Sequence, residues 1–149
     1  MLLTSNGERV GSQEDFDRVR VARAFPKSLL HDSIAKKVYS AMMRGELDEA
    51  VFAAFKAVEV AVREAGGYKA TDIGVPLMRK AFDSKAGPLT DLKQPEAERE
   101  ALAHLFAGAI GSYKNPHSHR TVNLSDTREA QEQILLATHL LRIVEARKP

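Results

Sequence analysis

Residues 47–65 carry an apolar side chain at nearly every third or fourth position, and this spacing constrains the fold more than any other feature of the chain. Side chains at such intervals lie on one face of an α-helix, which must be buried against another element. Gly66-Gly67 follow directly and favour the end of a helix. No stretch of the sequence alternates polar and apolar residues convincingly, as a half-buried strand would. The pattern therefore predicts an all-α fold. Its apolar positions are Leu47, Val51, Ala54, Phe55, Val58 and Val62.

The same periodicity predicts long helices over about residues 32–44, 95–112 and 127–146, and a short helix over about 77–82. Gly45 is expected to end the first of these. Amphipathic helices in this order favour an up-and-down bundle of four to five helices. The other positions expected to face the core are Ile34, Val38, Ala41, Met42, Leu102, Leu105, Phe106, Ala109, Ile110, Ile134, Ala137, Leu140, Leu141 and Val144.

A chain of 149 residues is most simply one domain with a substantial core. Residues 1–28 are polar and irregular, with turn signals at Asn6-Gly7 and Gly11-Ser12. We interpret them as a linker or as a short helix around residues 14–24. The helical domain is then expected over residues 29–149.

Composition excludes several classes of protein. No apolar run approaches the length of about eighteen residues that a membrane span requires. The first residues lack the apolar stretch of a signal peptide, and the chain has no cysteine, so we expect a cytoplasmic protein without disulfides, thiolate metal sites or a cysteine nucleophile. A formal net charge of +2 is too small to indicate nucleic-acid binding by itself.

The octapeptide 113–120, Tyr-Lys-Asn-Pro-His-Ser-His-Arg, concentrates residue types that bind anions and move protons near neutral pH. Residues 101–125 contain no acidic side chain, although the whole chain has 20 acidic residues. Three of the five histidines of the chain fall in this window. The octapeptide is therefore the candidate functional site.

Plainer interpretations of these residues stay open. The octapeptide is expected to link the last two long helices, where Asn-Pro begins a turn and polar side chains face water. His117 and His119 do not make a zinc site, which needs three or four ligands, and no carboxylate lies in the window, so we expect no metal. His104 and His139 are expected on helix surfaces, and His31 at the start of a helix.

Four sequence motifs stand out: Leu30-His31; Ala50-Val51-Phe52-x-Ala54-Phe55-Lys56; Gly74-x-x-Leu77-Met78-x-x-Ala81-Phe82; and Leu105-Phe106-Ala107-Gly108-Ala109-Ile110 leading into Lys114-Asn115-Pro116-x-x-His119. Together they resemble the Ymh-type family of bacterial proteins, which belongs to the HEPN superfamily of small helical domains. HEPN ribonucleases carry an arginine, then a polar residue, and then a histidine after four to six intervening positions. Here Lys114 and His119 match that spacing, with four residues between them and Asn115 as the polar neighbour.

The resemblance implies RNA cleavage that needs no metal and no cofactor. His119 would take the proton from a ribose 2′-hydroxyl, which attacks the adjacent phosphate, and this chemistry selects RNA because DNA lacks that hydroxyl. Lys114 would offset charge on the phosphoryl oxygens, and Asn115 would orient the imidazole or the phosphate. The expected substrate contacts are Tyr113, His117 and Arg120.

Lys114 departs from the arginine of the superfamily pattern. A lysine is a compact point charge and orients a phosphate less well than the planar fork of an arginine. We therefore expect a weaker nuclease, one assisted by Arg120, or a domain that binds without cutting. Glu59, on the polar side of its predicted helix, either faces the cleft or, as we favour, forms a surface ion pair with Arg63.

HEPN domains usually pair, so the resemblance also implies a twofold homodimer in which two octapeptides line one cleft. A role in phage defence or in a toxin system, with an upstream domain or a regulatory partner, follows from family association. The rival hypothesis is a non-catalytic module that dimerises and binds RNA or a nucleotide as part of a larger protein. Sequence-specific DNA binding is disfavoured, because no predicted helix has a basic face suited to the major groove.

Overall fold

The computed structural model describes residues 13–17, 19–20 and 25–149, and within these ranges every regular element is helical. The prediction of an all-α fold is confirmed for this part of the chain. Residues 13–17 and 19–20 are helical, whereas the rest of the region predicted as a linker or short helix before residue 25 lies outside the described residues. The elements are a 3₁₀ turn Lys27–Leu29, α1 Asp32–Met43, α2 Leu47–Ala65, α3 Gly74–Ala81, α4 Glu96–Ala109, a π-helical segment Ile110–Lys114, α5 Asn115–His119 and α6 Thr127–Arg147.

Helix α2 lies at the centre of the fold. It packs mainly against α6 and α1, and its far side contacts the π segment and α3. Every predicted apolar position of α2 is buried, including Phe55, which is fully excluded from solvent. Removing such a side chain from water contributes about 1.5–3 kcal/mol. A second aromatic contact, Phe82 stacked on Phe106 with ring centroids 4.0 Å apart, joins α3 to α4.

Left-handed glycines and side-chain caps set the observed ends of the helices. Gly45 and Gly67 have φ values of 75° and 69°, a left-handed conformation that glycine adopts without strain, and they follow α1 and α2. The ring of His31 accepts a hydrogen bond from the Ser33 N–H at the start of α1, as expected for a residue at a helix start. Asp126 caps α6 in the same way by accepting from the Arg128 N–H at 2.9 Å.

The octapeptide does not form the predicted turn between two helices. Helix α4 continues without interruption through the π segment into α5, and the extended connection to α6 begins only after His119. Pro116 has no N–H and its ring would clash with the carbonyl four residues earlier in a regular α-helix. The wider π turn, in which the Asn115 N–H donates to the Ile110 carbonyl, lets the helical path continue past the proline.

Leu105 was predicted to face the core, but its side chain is 42% exposed. The side of α4 that faces the bundle is occupied by Phe106 and Ala109, both buried. Since Phe106 is held by its stacking on Phe82, the neighbouring Leu105 lies at the edge of the interface rather than in it.

Two glycines provide a matched test of this packing. A β-carbon at Gly87 would lie 2.5 Å from the Asp83 nitrogen and 2.6 Å from the Ala81 carbonyl oxygen, whereas a β-carbon at Gly108 would meet nothing within 4 Å. Gly87→Ala should therefore lower the free energy of unfolding by about 1–3 kcal/mol. Gly108→Ala should raise it by about 0.5–1 kcal/mol, because alanine favours the helix. Urea denaturation of both variants measures this, and equal effects of the two substitutions would contradict the described turn at Gly87.

Candidate functional site

The carboxylate of Glu59 in α2 is fully buried and binds four groups. Lys56 donates a hydrogen bond to Oε1 at 2.9 Å, and the Arg63 guanidinium lies 3.6 Å from the same oxygen. The Lys114 ammonium lies 3.1 Å from Oε2, and the Gly74 N–H donates to Oε2 at 2.9 Å. Both oxygens are thus paired, as a buried carboxylate requires. The carboxylate links α2 to the start of α3 and to the π segment.

The predicted ion pair between Glu59 and Arg63 forms, but its placement at the protein surface was wrong. Glu59 is buried because the π segment and the start of α3 cover this side of α2. A signal for this was present in the sequence. Glu59 is four residues after Phe55 and three before Val62, so it falls within the apolar stripe of α2 rather than opposite it.

The surroundings keep the Glu59 carboxylate ionised. Burial raises its pKa, but hydrogen bonds from the Lys56 ammonium, the Gly74 N–H and the Lys114 ammonium lower it more, and the pKa lies below that of an ordinary glutamate. Three cations around one anion leave this cluster with a net positive charge. The ionised Glu59 carboxylate thus acts as an anchor that holds positively charged side chains in place, and it does not act as a proton donor.

Lys114 was predicted to face a phosphate, and the structure places it elsewhere. Its side chain is only 10% exposed and its ammonium is paired with Glu59. The reason is its position at the end of the π segment, on the side that packs against α2. In the described chain Lys114 fixes the helix that carries the octapeptide.

Asn115 and Tyr113 flank Lys114 and also face the protein. The side-chain oxygen of Asn115 would lie 3.9 Å from a β-carbon at Gly74, where φ is 67°. The Tyr113 ring lies 5.2 Å from the Phe55 ring, centroid to centroid, and is partly buried. Tyr113, predicted as a substrate contact, therefore packs against the core, and Asn115 lies close to the Glu59 anchor.

The remaining predicted residues lie at the end of α5. His119 and Arg120 are exposed, and His117 is half-buried. Within the described residues, no three histidine, aspartate, glutamate or cysteine side chains are placed to hold a metal ion. The same described part of the chain contains no helix that is both long and apolar enough to cross a membrane. The exposed groups at this end of α5 are therefore the His119 imidazole and the Arg120 guanidinium, and the His117 imidazole is partly accessible.

The imidazole of His117 has a perturbed pKa. Burial lowers the pKa, the carboxylate of Asp48 raises it, the Arg120 guanidinium lowers it, and the net effect is a pKa below the usual histidine value. Asp48 is held in place because it accepts hydrogen bonds from the N–H groups of Asn123 and Leu124, at 2.8 and 2.7 Å. His117 is thus neutral at pH 7 and can accept a proton or a hydrogen bond.

A family model described as "Protein of unknown function (Hypoth_Ymh)" matches residues 28–144. The chain belongs to the Hypoth_Ymh family. The match spans α1 to α5 and nearly all of α6, so both the Glu59 anchor and the octapeptide are part of what the Hypoth_Ymh model describes. The predicted resemblance to the Ymh-type family is confirmed. Neither the curated proteins nor the solved structures compared with this Hypoth_Ymh chain gave a match.

Removing the Glu59 carboxylate should destabilise this Hypoth_Ymh protein strongly. Glu59→Ala leaves the Lys114 ammonium and the Gly74 N–H buried without an acceptor, and breaking a buried pair in this way costs about 3–5 kcal/mol. Urea denaturation at pH 7 measures the loss. Glu64→Ala, at an exposed position of the same helix, is the matched control and should leave the stability close to that of the wild type.

The pH dependence of the stability gives a second test of the ion pairs at Glu59. The pKa of Glu59 is lower in the folded than in the unfolded chain. The contribution of its charge to the free energy of unfolding is therefore complete above the unfolded-chain pKa of about 4.3, and it is lost as the pH falls through the folded-chain pKa. Glu59→Gln should therefore reduce the loss of stability on acidification below pH 4.3. An acid-unfolding curve parallel to that of the wild type would contradict a depressed pKa at Glu59.

The charges around His117 predict the direction in which a substitution at Arg120 shifts the pKa of His117. Arg120→Gln removes a neighbouring positive charge and should raise the pKa of His117, while the wild-type imidazole titrates below the usual value of about 6.5. Imidazole chemical shifts followed by NMR across pH 4–8 measure both. Arg142→Gln, at an exposed position of α6, is the control. A fall in the pKa of His117 in Arg120→Gln would refute the assigned contacts.

Proposed function

We propose that this protein is a metal-independent endoribonuclease of the HEPN superfamily, in which His119 acts on the ribose 2′-hydroxyl. The observation that carries the proposal is the exposure of His119 and Arg120, with the half-buried His117 two residues before His119, at the end of a helix that a buried ion pair holds against α2. A catalytic side chain needs such a rigid support, because small displacements from the reacting atoms cost much of the rate.

Each group has a role that its chemistry supports. The imidazole of His119 accepts the proton of the 2′-hydroxyl, whose oxygen then attacks the adjacent phosphorus and expels the 5′-oxygen of the next nucleotide. Arg120 follows His119 directly and is exposed, so its guanidinium is available to the phosphoryl oxygens. His117, neutral at pH 7, accepts a hydrogen bond from the ribose or the base.

Lys114 and Asn115 take different roles from those first expected. The Lys114 ammonium is engaged by Glu59, and Asn115 lies beside Gly74. We therefore assign Lys114 as a positioning residue that holds α5, and we transfer the charge-offsetting role to Arg120. Under this assignment a lysine in place of the superfamily's arginine is compatible with activity, because position 114 does not have to grip the phosphate.

One octapeptide offers few groups to a polynucleotide, and we propose that a twofold homodimer completes the site. Leu105 and Gly108 are exposed on α4, which runs directly into the π segment and α5. A partner packed on this face of α4 brings a second copy of α5 alongside the first. The proposed setting, a phage-defence or toxin system in the cytoplasm with an upstream domain or regulatory partner, rests on the superfamily assignment.

The withdrawal of Lys114 from solvent also favours a second candidate function. A domain in which the lysine of the motif is committed to a structural ion pair can bind RNA or a nucleotide through His117, His119 and Arg120 without turnover. Binding of this kind depends on phosphate contacts and weakens as salt is added. The two functions predict the same ligand and differ in whether the phosphodiester is broken.

Cleavage of a labelled single-stranded RNA in the presence of a chelator separates the two candidates. The wild type should generate 2′,3′-cyclic phosphate ends, and His119→Ala should lower the rate by about 10²–10⁴-fold, as expected on loss of a general base. Arg120→Ala should also lower it. The matched control is His139→Ala, at an exposed position of α6, which should retain the wild-type rate. An oligonucleotide with a 2′-deoxyribose at the cleaved position should stay intact.

Two outcomes would change the conclusion. Equal cleavage by wild type and His119→Ala would remove His119 from the mechanism. Salt-sensitive binding of the RNA by the wild type, without cleavage and with loss of binding in Arg120→Ala, would establish the binding module instead.

A further inference from the structure

A carboxylate near the start of α2 binds the connection that leads from the octapeptide to α6. Asp48 accepts hydrogen bonds from two successive backbone N–H groups, from Asn123 to Oδ2 at 2.8 Å and from Leu124 to Oδ1 at 2.7 Å. The two donors lie 75 and 76 residues away in sequence, so the contact is tertiary and is not part of a local turn. Asp48 therefore uses both of its oxygens to hold residues 123–124 against α2.

The backbone of the connection is shaped to fit this carboxylate. Asn123 has a φ of 59°, the left-handed conformation, which asparagine adopts more readily than most residues. Successive N–H groups around such a residue form a concave site for an anion. The Leu124 side chain is partly buried against the core, so this part of the connection is held by packing as well as by hydrogen bonds.

Arg120 lies between two fixed points of the backbone. Its N–H donates to the Pro116 carbonyl at 2.9 Å at the end of α5, and only residues 121 and 122 separate it from the N–H groups that Asp48 binds. Three residues of chain span at most about 10–11 Å. Since the Arg120 side chain is itself exposed, the backbone on either side of it decides where the guanidinium is presented.

We infer that Asp48 is a positioning residue of the candidate site, which holds residues 123–124 against α2 and so determines where Arg120 is presented beside His119. The charge of Asp48 also acts on the His117 imidazole, whose pKa it raises against the opposing effects of burial and of Arg120. The effect on RNA cleavage rests on the proposed ribonuclease function. The hold on the connection does not.

A plainer role for Asp48 is to stabilise the start of α2, since acidic side chains in the first turn favour a helix. Glu49 is the next residue of that turn and carries the same charge, but its exposed carboxyl group interacts with Glu46. Glu49→Gln is therefore the matched control. It removes one negative charge from the start of α2 and leaves both hydrogen bonds to residues 123–124 in place.

Amide hydrogen exchange and NMR titration test the inference without RNA. In Asp48→Ala the N–H groups of Asn123 and Leu124 lose a charged acceptor, so their protection against exchange should fall about 10–10²-fold. The pKa of His117 should also fall, because the lowering effects of burial and of Arg120 are then unopposed. Glu49→Gln should keep the protection of both amides. Unchanged protection in Asp48→Ala, or an equal loss in Glu49→Gln, would overturn the inference.

Steady-state cleavage of the labelled RNA tests the effect on the site. Asp48→Ala should lower kcat about 10–10²-fold, because a small displacement from the reacting atoms costs much of the rate. KM should stay close to the wild-type value, since the guanidinium is still present to attract the phosphate. Glu49→Gln should retain both values. A wild-type kcat in folded Asp48→Ala, checked by circular dichroism, would refute the positioning role.

A substitution on the other side of the contact gives a test that leaves α2 unchanged. Asn123→Pro removes one donor and cannot adopt a φ of 59°, so it should lower kcat as Asp48→Ala does. The double variant should lose no more than the more affected single variant, whereas losses that multiply would show that the two residues act independently. A wild-type protein that does not cleave RNA would refute the ribonuclease proposal, and amide exchange and the pKa of His117 would then decide the role of Asp48.

Discussion

The ion pair between Glu59 and Lys114 is the interaction on which the position of the candidate site depends. A buried carboxylate is stable only when its oxygens are fully paired, and Glu59 reaches this state by binding groups from three separate elements. The cost of removing charges from water makes such a pair a weak source of net stability. Its geometric effect is stronger, because any movement of the π segment away from α2 would leave an unpaired charge in the interior.

The sequence specifies the bundle well because its helices depend on local rules. The periodicity of residues 47–65 and the glycines that follow predict the bounds of α2 as observed, since apolar spacing and C-terminal glycines act within a few residues. The errors arise where a long-range contact overrides a local preference. Pro116 predicts a turn, but the π segment accommodates it, and a glutamate in an apolar stripe is accepted only because cations from α2 and the π segment reach it.

The candidate site shows the same contrast between what local sequence rules predict and what long-range contacts decide. The octapeptide and its spacing single out the residues that lie at the end of α5, and exposure of His119 and Arg120 agrees with a role toward solvent. Spacing alone cannot distinguish a side chain that faces a ligand from one that faces the core. Lys114 and Tyr113 are close in sequence to His119, yet the turn of the helix directs them toward Glu59 and Phe55.

Lys56 extends the pairing of Glu59 across α2. Its ammonium donates to Glu59 Oε1 at 2.9 Å, while its side chain also lines the groove between α1, α2 and α6. The charge of Lys56 is therefore committed to the buried carboxylate, and with Arg63 and Lys114 it completes the pairing of both carboxylate oxygens. Because a buried carboxylate that loses one of these partners keeps an uncompensated charge, a substitution at Lys56 bears on the same carboxylate that holds the π segment and α5 in place.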